Sequence, residues 1–175
     1  LRNLIINEKI NSIYVHDINL KKKSTKRNIN FIPSKKEFFS KEVDIYIITS
    51  PTKTHFKFLS KCLELDKTVC VTKPFTNNFK ELKKLKKKFS NLSNIFLDHT
   101  YLFHSSIKFL KKTVEQKKIG KLIYYDSERI SFGKFYTDVN VIEDLAVHDI
   151  YILDFLLNGQ IPNKIDVNSH KIFGN

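Results

Sequence analysis

Two carriers of proton chemistry stand four residues apart near the end of the chain, Asp144 and His148, in the stretch EDLAVHD. On a helix that spacing brings both side chains to one face. A carboxylate there raises the basicity of the imidazole or orients it, as a general base requires. A surface ion pair or a hydrogen-bonded core histidine would use the same spacing, and two metal ligands would lack a nearby third. A second unusual placement is Lys73-Pro74, in VTKPFTNN, directly after an apolar run over 68–71. Neither residue helps to build a sheet, and both fall where a strand is expected to end.

The elements that must position these residues alternate through the first hundred positions. SIYVHD (12–17) reads as a buried strand. VDIYIIT (43–49) reads as a stronger one, β-branched and nearly continuous, as parallel strands covered on both faces are. Between them SKKE (34–37) carries a capping-box pattern that opens a short helix through Phe38 and Phe39. Phe56, Leu59, Cys62 and Leu63 recur at helical spacing. KTVCV is the next strand, and 77–89 is a helix with Phe79, Leu82, Leu85 and Phe89 inward and its lysines solvated. NIFLD (94–98) is a further strand. Strands separated by helices at such short intervals form right-handed βαβ units and a parallel sheet. Ligands of such sheets bind at the carboxyl ends of the strands, which singles out Asp17, Ser50, Pro51, Lys73 and His99.

After residue 99 the character changes. A helix of about 104–117 ends near Gly120, KLIYYDSERISF (121–132) is strand-like, and a helix of about 142–157 is closed by Gly159. KIDVNSHKIF begins another strand. One long strand and one terminal strand cannot make a stable sheet alone, so the second domain reads as unfinished. Asp17 ends the first strand, where it serves either as the acid that accepts an adenosine ribose's hydroxyls or as a local helix cap. A Gly-rich phosphate turn belongs about 20 residues upstream of a ribose acid. Residues 1–16 contain no glycine, so either the fold binds no dinucleotide or the turn precedes Leu1, with LRNLIINEKI as the helix it opens.

Composition narrows the functional classes. The net charge of +13 comes from 28 lysines and only 3 arginines, whereas specific phosphate and base contacts favour the arginine fork. Lys, Asn, Ile, Phe and Tyr supply 86 of 175 residues, a bias of the kind AT-rich coding gives, so a nucleic-acid partner is not expected. The apolar runs are far shorter than the roughly 20 residues of a membrane span, so no membrane partner is expected either. Cys62 and Cys70 form no CxxC pair and read as reduced, buried thiols of a cytoplasmic protein.

Four stretches taken together resemble one family, the Gfo/Idh/MocA oxidoreductases. VDIYIITSPTKTHFKFLSKCLELDKTVCVTKPF resembles its strand, Thr/Ser-Pro-x-x-x-His turn, helix, strand and Glu-Lys-Pro. DHTYLFHSSIKFLKK, DSERISFGKF and DVNVIEDLAVHDIYILDFLL resemble its crossover into a second domain and its Asp-x-x-x-His helix. The resemblance implies an α/β fold, with a Rossmann-type parallel sheet over 1–98, N-terminally truncated. An incomplete α/β domain with a mainly antiparallel sheet, for substrate and oligomer contacts, is expected over 99–175.

It further implies an NAD cofactor, with NADP as the alternative, a sugar, sugar-nucleotide or cyclitol substrate, and a homo-oligomer when full length. By matching position, Lys73 is the lysine that touches the reacting hydroxyl, and a cis Lys73-Pro74 bond is expected to aim it into the cleft. His148 is the acid/base and Asp144 the orienting or substrate-binding acid. Ser50, Pro51, Thr52, His55, Thr72 and Pro74 line the cofactor, Asp17 holds the ribose, and His99 and Thr100 lie near nicotinamide and substrate. No metal is expected. Thr72 replaces the family's glutamate, and the family's length implies missing segments at both ends. A non-catalytic regulator or scaffold that retains the fold is the alternative function.

Overall fold

The computed structural model describes residues 2–19, 28–76, 78–130 and 139–170. The chain divides into two units, Leu1–Asp44 and Ile45–Asn175.

In the first unit, one helical turn, α1 (Arg2–Ile5), precedes strand β1 (Ile13–Val15), and β2 (Ile29–Phe31) pairs with β1 in parallel, Ile13 opposite Ile29. Strand β2 lacks the alternation that marks the others and is not anticipated by the sequence pattern. Ile13, Ile29 and Ile32 are buried, and His16 Nδ1 donates to Ile32 O at 2.9 Å, which ties the end of β1 to the chain leaving β2. Helix α2 (Lys35–Ser40) starts at Ser34, whose hydroxyl accepts from Glu37 N. That is the half of the capping box that satisfies an orphan amide of the first turn.

The second unit is built on β3 (Ile45–Ile48), β4 (Thr68–Thr72) and β5 (Ile95–Asp98), all parallel in that order. Helix α3 (His55–Glu64) returns the chain from β3 to β4, and α4 (Phe79–Lys88) returns it from β4 to β5. Leu59, Cys62, Val69, Val71 and Leu85 are at most 1% exposed and form the core between α3, α4 and the sheet. Along β3 burial alternates, with Tyr46 and Ile48 inward and Ile45 and Ile47 about half exposed. The continuous apolar run is thus covered on one face here, not on both. Burial pushes the Cys62 thiol up to about 12 and raises that of Cys70, aided by the Asp98 charge, so neither offers a thiolate at neutral pH.

Helix α4 begins later than its pattern indicates, at Phe79, because the Asn78 side chain accepts from Lys80 N and caps it there. Position 77 lies outside the described residues. As the first residue of the helix, Phe79 falls off the inward stripe and is exposed, with the Lys83 ammonium over its ring.

Beyond β5 the chain makes a short 3-10 turn (Thr100–Phe103), helix α5 (Ser105–Glu115), and, after the segment 121–130, helix α6 (Val147–Leu156). Lys111 of α5 is buried and donates to Phe155 O and Asn158 Oδ1, so an ammonium caps the carboxyl end of α6 where the helix dipole favours a cation. The chain leaves α6 through left-handed Asn158 and Gly159, with Gly159 N donating to Asp154 O, the Schellman closure glycine permits. The strand signals at 121–132 and 164–173 are not realised as strands at 121–130 or 164–170. Ile123, Tyr124, Ile130, Ile165 and Val167 stand exposed, and an extended segment without a hydrogen-bonded partner is not a strand. Positions 131–138 and 171–175 lie outside the described residues.

Truncation of the best-buried leucine should report on the second core. Leu59→Ala is expected to lower unfolding free energy by about 2–5 kcal/mol, while Lys86→Ala on the solvated face of α4 changes it by less than about 0.5 kcal/mol, both read from urea unfolding curves.

Candidate functional site

Two turns leave the carboxyl ends of β3 and β4, and one histidine fastens them together. His55 opens α3 and is 1% exposed. Its Nε2 lies 2.8 Å from Ser50 O and its Nδ1 2.9 Å from Pro74 O. The spacing Ser50-Pro51-x-x-x-His55 is what lets the ring reach back to the strand end it has just left. Thr54 Oγ1 donates to Pro51 O at 2.7 Å, so the 2.6 Å bond between Ser50 and Thr54 has Ser50 as its donor. The Lys73-Pro74 bond is cis, as expected from the sequence.

The opposing wall comes from the entrance to α6. Asn140 Oδ1 accepts from the amides of Ile142 and Glu143 at 2.9 Å, and Glu143 Oε2 accepts from Asn140 N at 3.0 Å, a reciprocal capping box that fixes the helix start. The first turn is π-helical over Ile142–Ala146, with Val147 N donating to Ile142 O five residues back. Such π-turns are rare and recur at functional sites. Lys73 Nζ reaches this turn, donating to Asp144 O at 2.6 Å and to Asp144 Oδ1 at 2.7 Å. The pair is mostly buried, with side-chain exposures of 21% and 31%.

His148 shares this environment. Burial lowers its pKa first, and the positive charges of Lys73 and Arg129 lower it further, against opposing contributions from Asp149 and Asp144. These surroundings favour the proton-free form of the ring. Arg129 makes a bidentate pair with Asp149, Nε to Oδ2 at 2.7 Å and Nη2 to Oδ1 at 2.8 Å. Those bonds hold the Asp149 carboxyl below its ordinary range and the guanidinium above its own. The guanidinium carbon lies 4.7 Å from the Tyr101 ring centroid, and the Tyr101 ring meets His148 edge-on at 4.8 Å.

The remaining expected residues fall at several places. His99 follows β5, is 5% exposed and stacks on Tyr151 of α6. Neither of its ring nitrogens has a partner among the described residues. Burial lowers its pKa to about 4, with the His148 and Lys73 charges adding to that and Asp98 opposing it. Thr100 donates to Asp98 Oδ1, and Thr72, at the end of β4, donates to Ile48 O across the strands. Asp17 belongs to the first unit and is exposed, its Oδ1 accepting from Asn19 N at 2.8 Å. This is the local-turn use of an aspartate.

An open cleft of about 450 Å³ lies over the strand ends, lined by Ser50, Pro51, Thr52, His55, Lys73 and Asp144, together with Thr49, Pro74 and Val139. It is large enough for part of a dinucleotide or a sugar-sized ligand. Its lining of hydroxyls, carbonyls and one ammonium suits a polar, hydroxylated group. Among the described residues no group of three or more His, Cys, Asp or Glu side chains could hold a metal ion, and no helix is long and apolar enough to cross a membrane. The sequence reading does not single out Tyr101, Arg129 or Asp149. An arginine in a chain that otherwise uses lysine was the available signal, because only arginine gives a two-pronged carboxylate pair.

Residues 6–99 match the family described as an oxidoreductase family with an NAD-binding Rossmann fold, Gfo/Idh/MocA. Over 130 residues the chain is 30% identical to UDP-N-acetylglucosamine 3-dehydrogenase of Acidithiobacillus ferrooxidans, a match spanning 73% of this chain and 39% of that protein. The crystal structure of a myo-inositol dehydrogenase from Corynebacterium glutamicum superposes with a TM-score of 0.74 at 19% identity, over 89% of this chain and half of that one. The myo-inositol dehydrogenase of Lactobacillus casei, solved with NAD(H) and myo-inositol, superposes at 0.67 and 18% identity, over 83% of this chain and 46% of that one. The chain thus spans half or less of the length of each of these relatives.

The buried His99 ring makes stability depend on acid. The unfolded ring takes a proton near 6.5 and the folded ring near 4, so unfolding binds the proton and stability falls as pH drops through that window. His99→Phe is expected to flatten the fall without removing it, since the lowered pKa of His148 acts in the same direction; urea midpoints measured from pH 7 to pH 4 check this.

Proposed function

We propose, from the premise that this chain belongs to the Gfo/Idh/MocA oxidoreductase family with its NAD-binding Rossmann fold, that it carries the catalytic cleft of an NAD(P)-dependent dehydrogenase. The substrate is a sugar, sugar nucleotide or cyclitol, oxidised at one hydroxyl carbon. The observation that carries the reading is the convergence of an amine from the end of β4 and a carboxylate from the entrance to α6, Lys73 Nζ to Asp144 at 2.6 and 2.7 Å. The His148 imidazole lies within reach of the same ammonium charge. The named relatives, a UDP-N-acetylglucosamine 3-dehydrogenase and two myo-inositol dehydrogenases, support the substrate class.

The roles follow from charge. A carbinol that loses hydride must also lose its hydroxyl proton, and the proton-free His148 accepts it. Negative charge gathers on the oxygen as the carbonyl forms, and the Lys73 ammonium stabilises it. Asp144 holds that ammonium in place and binds a neighbouring substrate hydroxyl. Ser50, Pro51, Thr52, His55, Thr72 and Pro74 hold the dinucleotide along the strand ends, and His99 and Thr100 flank the nicotinamide and substrate. When bound, the nicotinamide dinucleotide supplies the hydride acceptor. Asp17 is the ribose acid in this reading and favours NAD over NADP. The boundary between the dinucleotide and substrate domains lies at 98/99, and the complete protein is a cytoplasmic homo-oligomer with no nucleic-acid or membrane partner.

In the complete gene product, Lys73→Ala is expected to lower kcat about 10²- to 10³-fold, and His148→Ala about 10²- to 10⁴-fold, both with NAD over a panel of sugars, sugar nucleotides and inositols. Unchanged turnover in both variants refutes the roles. Dinucleotide binding with no turnover over the whole panel supports instead a non-catalytic regulator, the reading that Thr72 in place of a glutamate favours.

A further inference from the structure

Arg129 and Asp149 form a two-pronged side-chain pair, yet neither lines the cleft. Both are mostly buried, with side-chain exposures of 24% and 18%. A buried pair of this kind adds little net stability over an apolar one, so its presence calls for another use. The geometry leads outward from it in one direction. The guanidinium lies 4.7 Å from the Tyr101 centroid, at cation–π distance, and the Tyr101 ring meets His148 at 4.8 Å with an interplanar angle of 67°. Asp149 follows His148 directly on α6, so the carboxylate that orients the guanidinium is fixed to the same helical turn as the imidazole. Carboxylate, guanidinium, phenol ring and imidazole form a loop closed by the backbone.

We propose that Arg129 is a positioning residue for His148: through Tyr101 it fixes the imidazole's orientation, and its permanent positive charge keeps the ring ready to accept a proton. This rests on the reading of His148 as the base. Guanidinium is never deprotonated in this range, so its charge acts at every pH at which the reaction runs. The groups facing His148 are Lys73 from the end of β4, Asp144 and Asp149 from its own helix, Arg129 from segment 121–130, and His99 and Tyr101 after β5. Lys73 and Arg129 oppose protonation of His148, while Asp144 and Asp149 favour it. Lys73 and Asp144 engage each other, as do Arg129 and Asp149, so His148 sits between two neutralised pairs. Removing one member of either pair uncovers the charge of the other. An arginine is required at 129 because lysine has no two-pronged donor to hold against a carboxylate and no planar face to lay on a ring.

The test combines proton-detected titration of the His148 ring by NMR with pH profiles of kcat/KM, in the complete protein. R129Q removes a positive charge and exposes Asp149, so the His148 midpoint is expected to rise, the acid limb of the profile to move to higher pH, and kcat to fall roughly 10- to 100-fold. D149N does the opposite to the charge balance, and the midpoint is expected to fall. R129K keeps the charge and loses the fork, so its midpoint is expected to stay near the parent value while kcat drops. Loss of structure moves every variant's midpoint up toward the ordinary histidine value, so a downward shift in D149N separates electrostatics from unfolding.

The proposal is overturned if R129Q titrates and turns over like the parent, or if D149N and R129Q shift the midpoint the same way. Opposite shifts in a parent protein with no turnover at all sink the dehydrogenase reading, and with it the base that Arg129 is said to position.

Discussion

One ammonium joins two parts of the chain that are 71 residues apart in sequence. Lys73 stands where β4 ends, Asp144 where α6 begins, and the contact between them brings the end of a parallel strand to the entrance of a helix from the second half of the chain. Its strength does not come from the ion pair alone, since a mostly buried pair gains little once the loss of hydration is counted. The second bond, to the backbone carbonyl of Asp144, makes the contact specific. That carbonyl belongs to the wider turn with which the helix starts.

On the strand side, the corresponding constraint is His55. The ring lies between carbonyls of two different turns, and the nitrogen that carries its proton donates to one of them, which ties α3 back to the exit of β3 or β4. Both turns border the cleft, so this ring helps to set its outline. On the helix side, the Asn140–Glu143 cap fixes where α6 begins, and Lys111 fixes its far end. The groups proposed to react are therefore carried on anchored elements, as sites that need accurate placement require.

Much of this was legible in the residues. Parallel strands and their helices follow from alternating apolar runs, and Ser34 capped the helix its pattern announced. Ser50, Pro51 and Lys73 followed from the rule that parallel sheets bind ligands at strand ends, Thr52 and His55 from the family resemblance, and Asp144 from its spacing to His148; these six line one cleft, whereas His99 and His148 are not among its lining residues. Strand β2 was hidden because three residues with one buried face carry too little periodicity. The extended segments at 121–130 and 164–170 show the opposite failure: β-branched and aromatic residues encode a preference, but a strand is made by its partner. Arg129 escaped notice because its importance lies in where Tyr101 and Asp149 fall in space.

An ammonium carries three N–H groups, and Asp144 occupies two of those of Lys73, one at its carboxylate and one at its carbonyl. Among the described residues the third has no hydrogen-bond acceptor. On the proposed reading, a guest hydroxyl is greeted without evicting Asp144, so docking adds a bond to a tripod already standing on two legs, and the lysine meets its visitor without first having to let go.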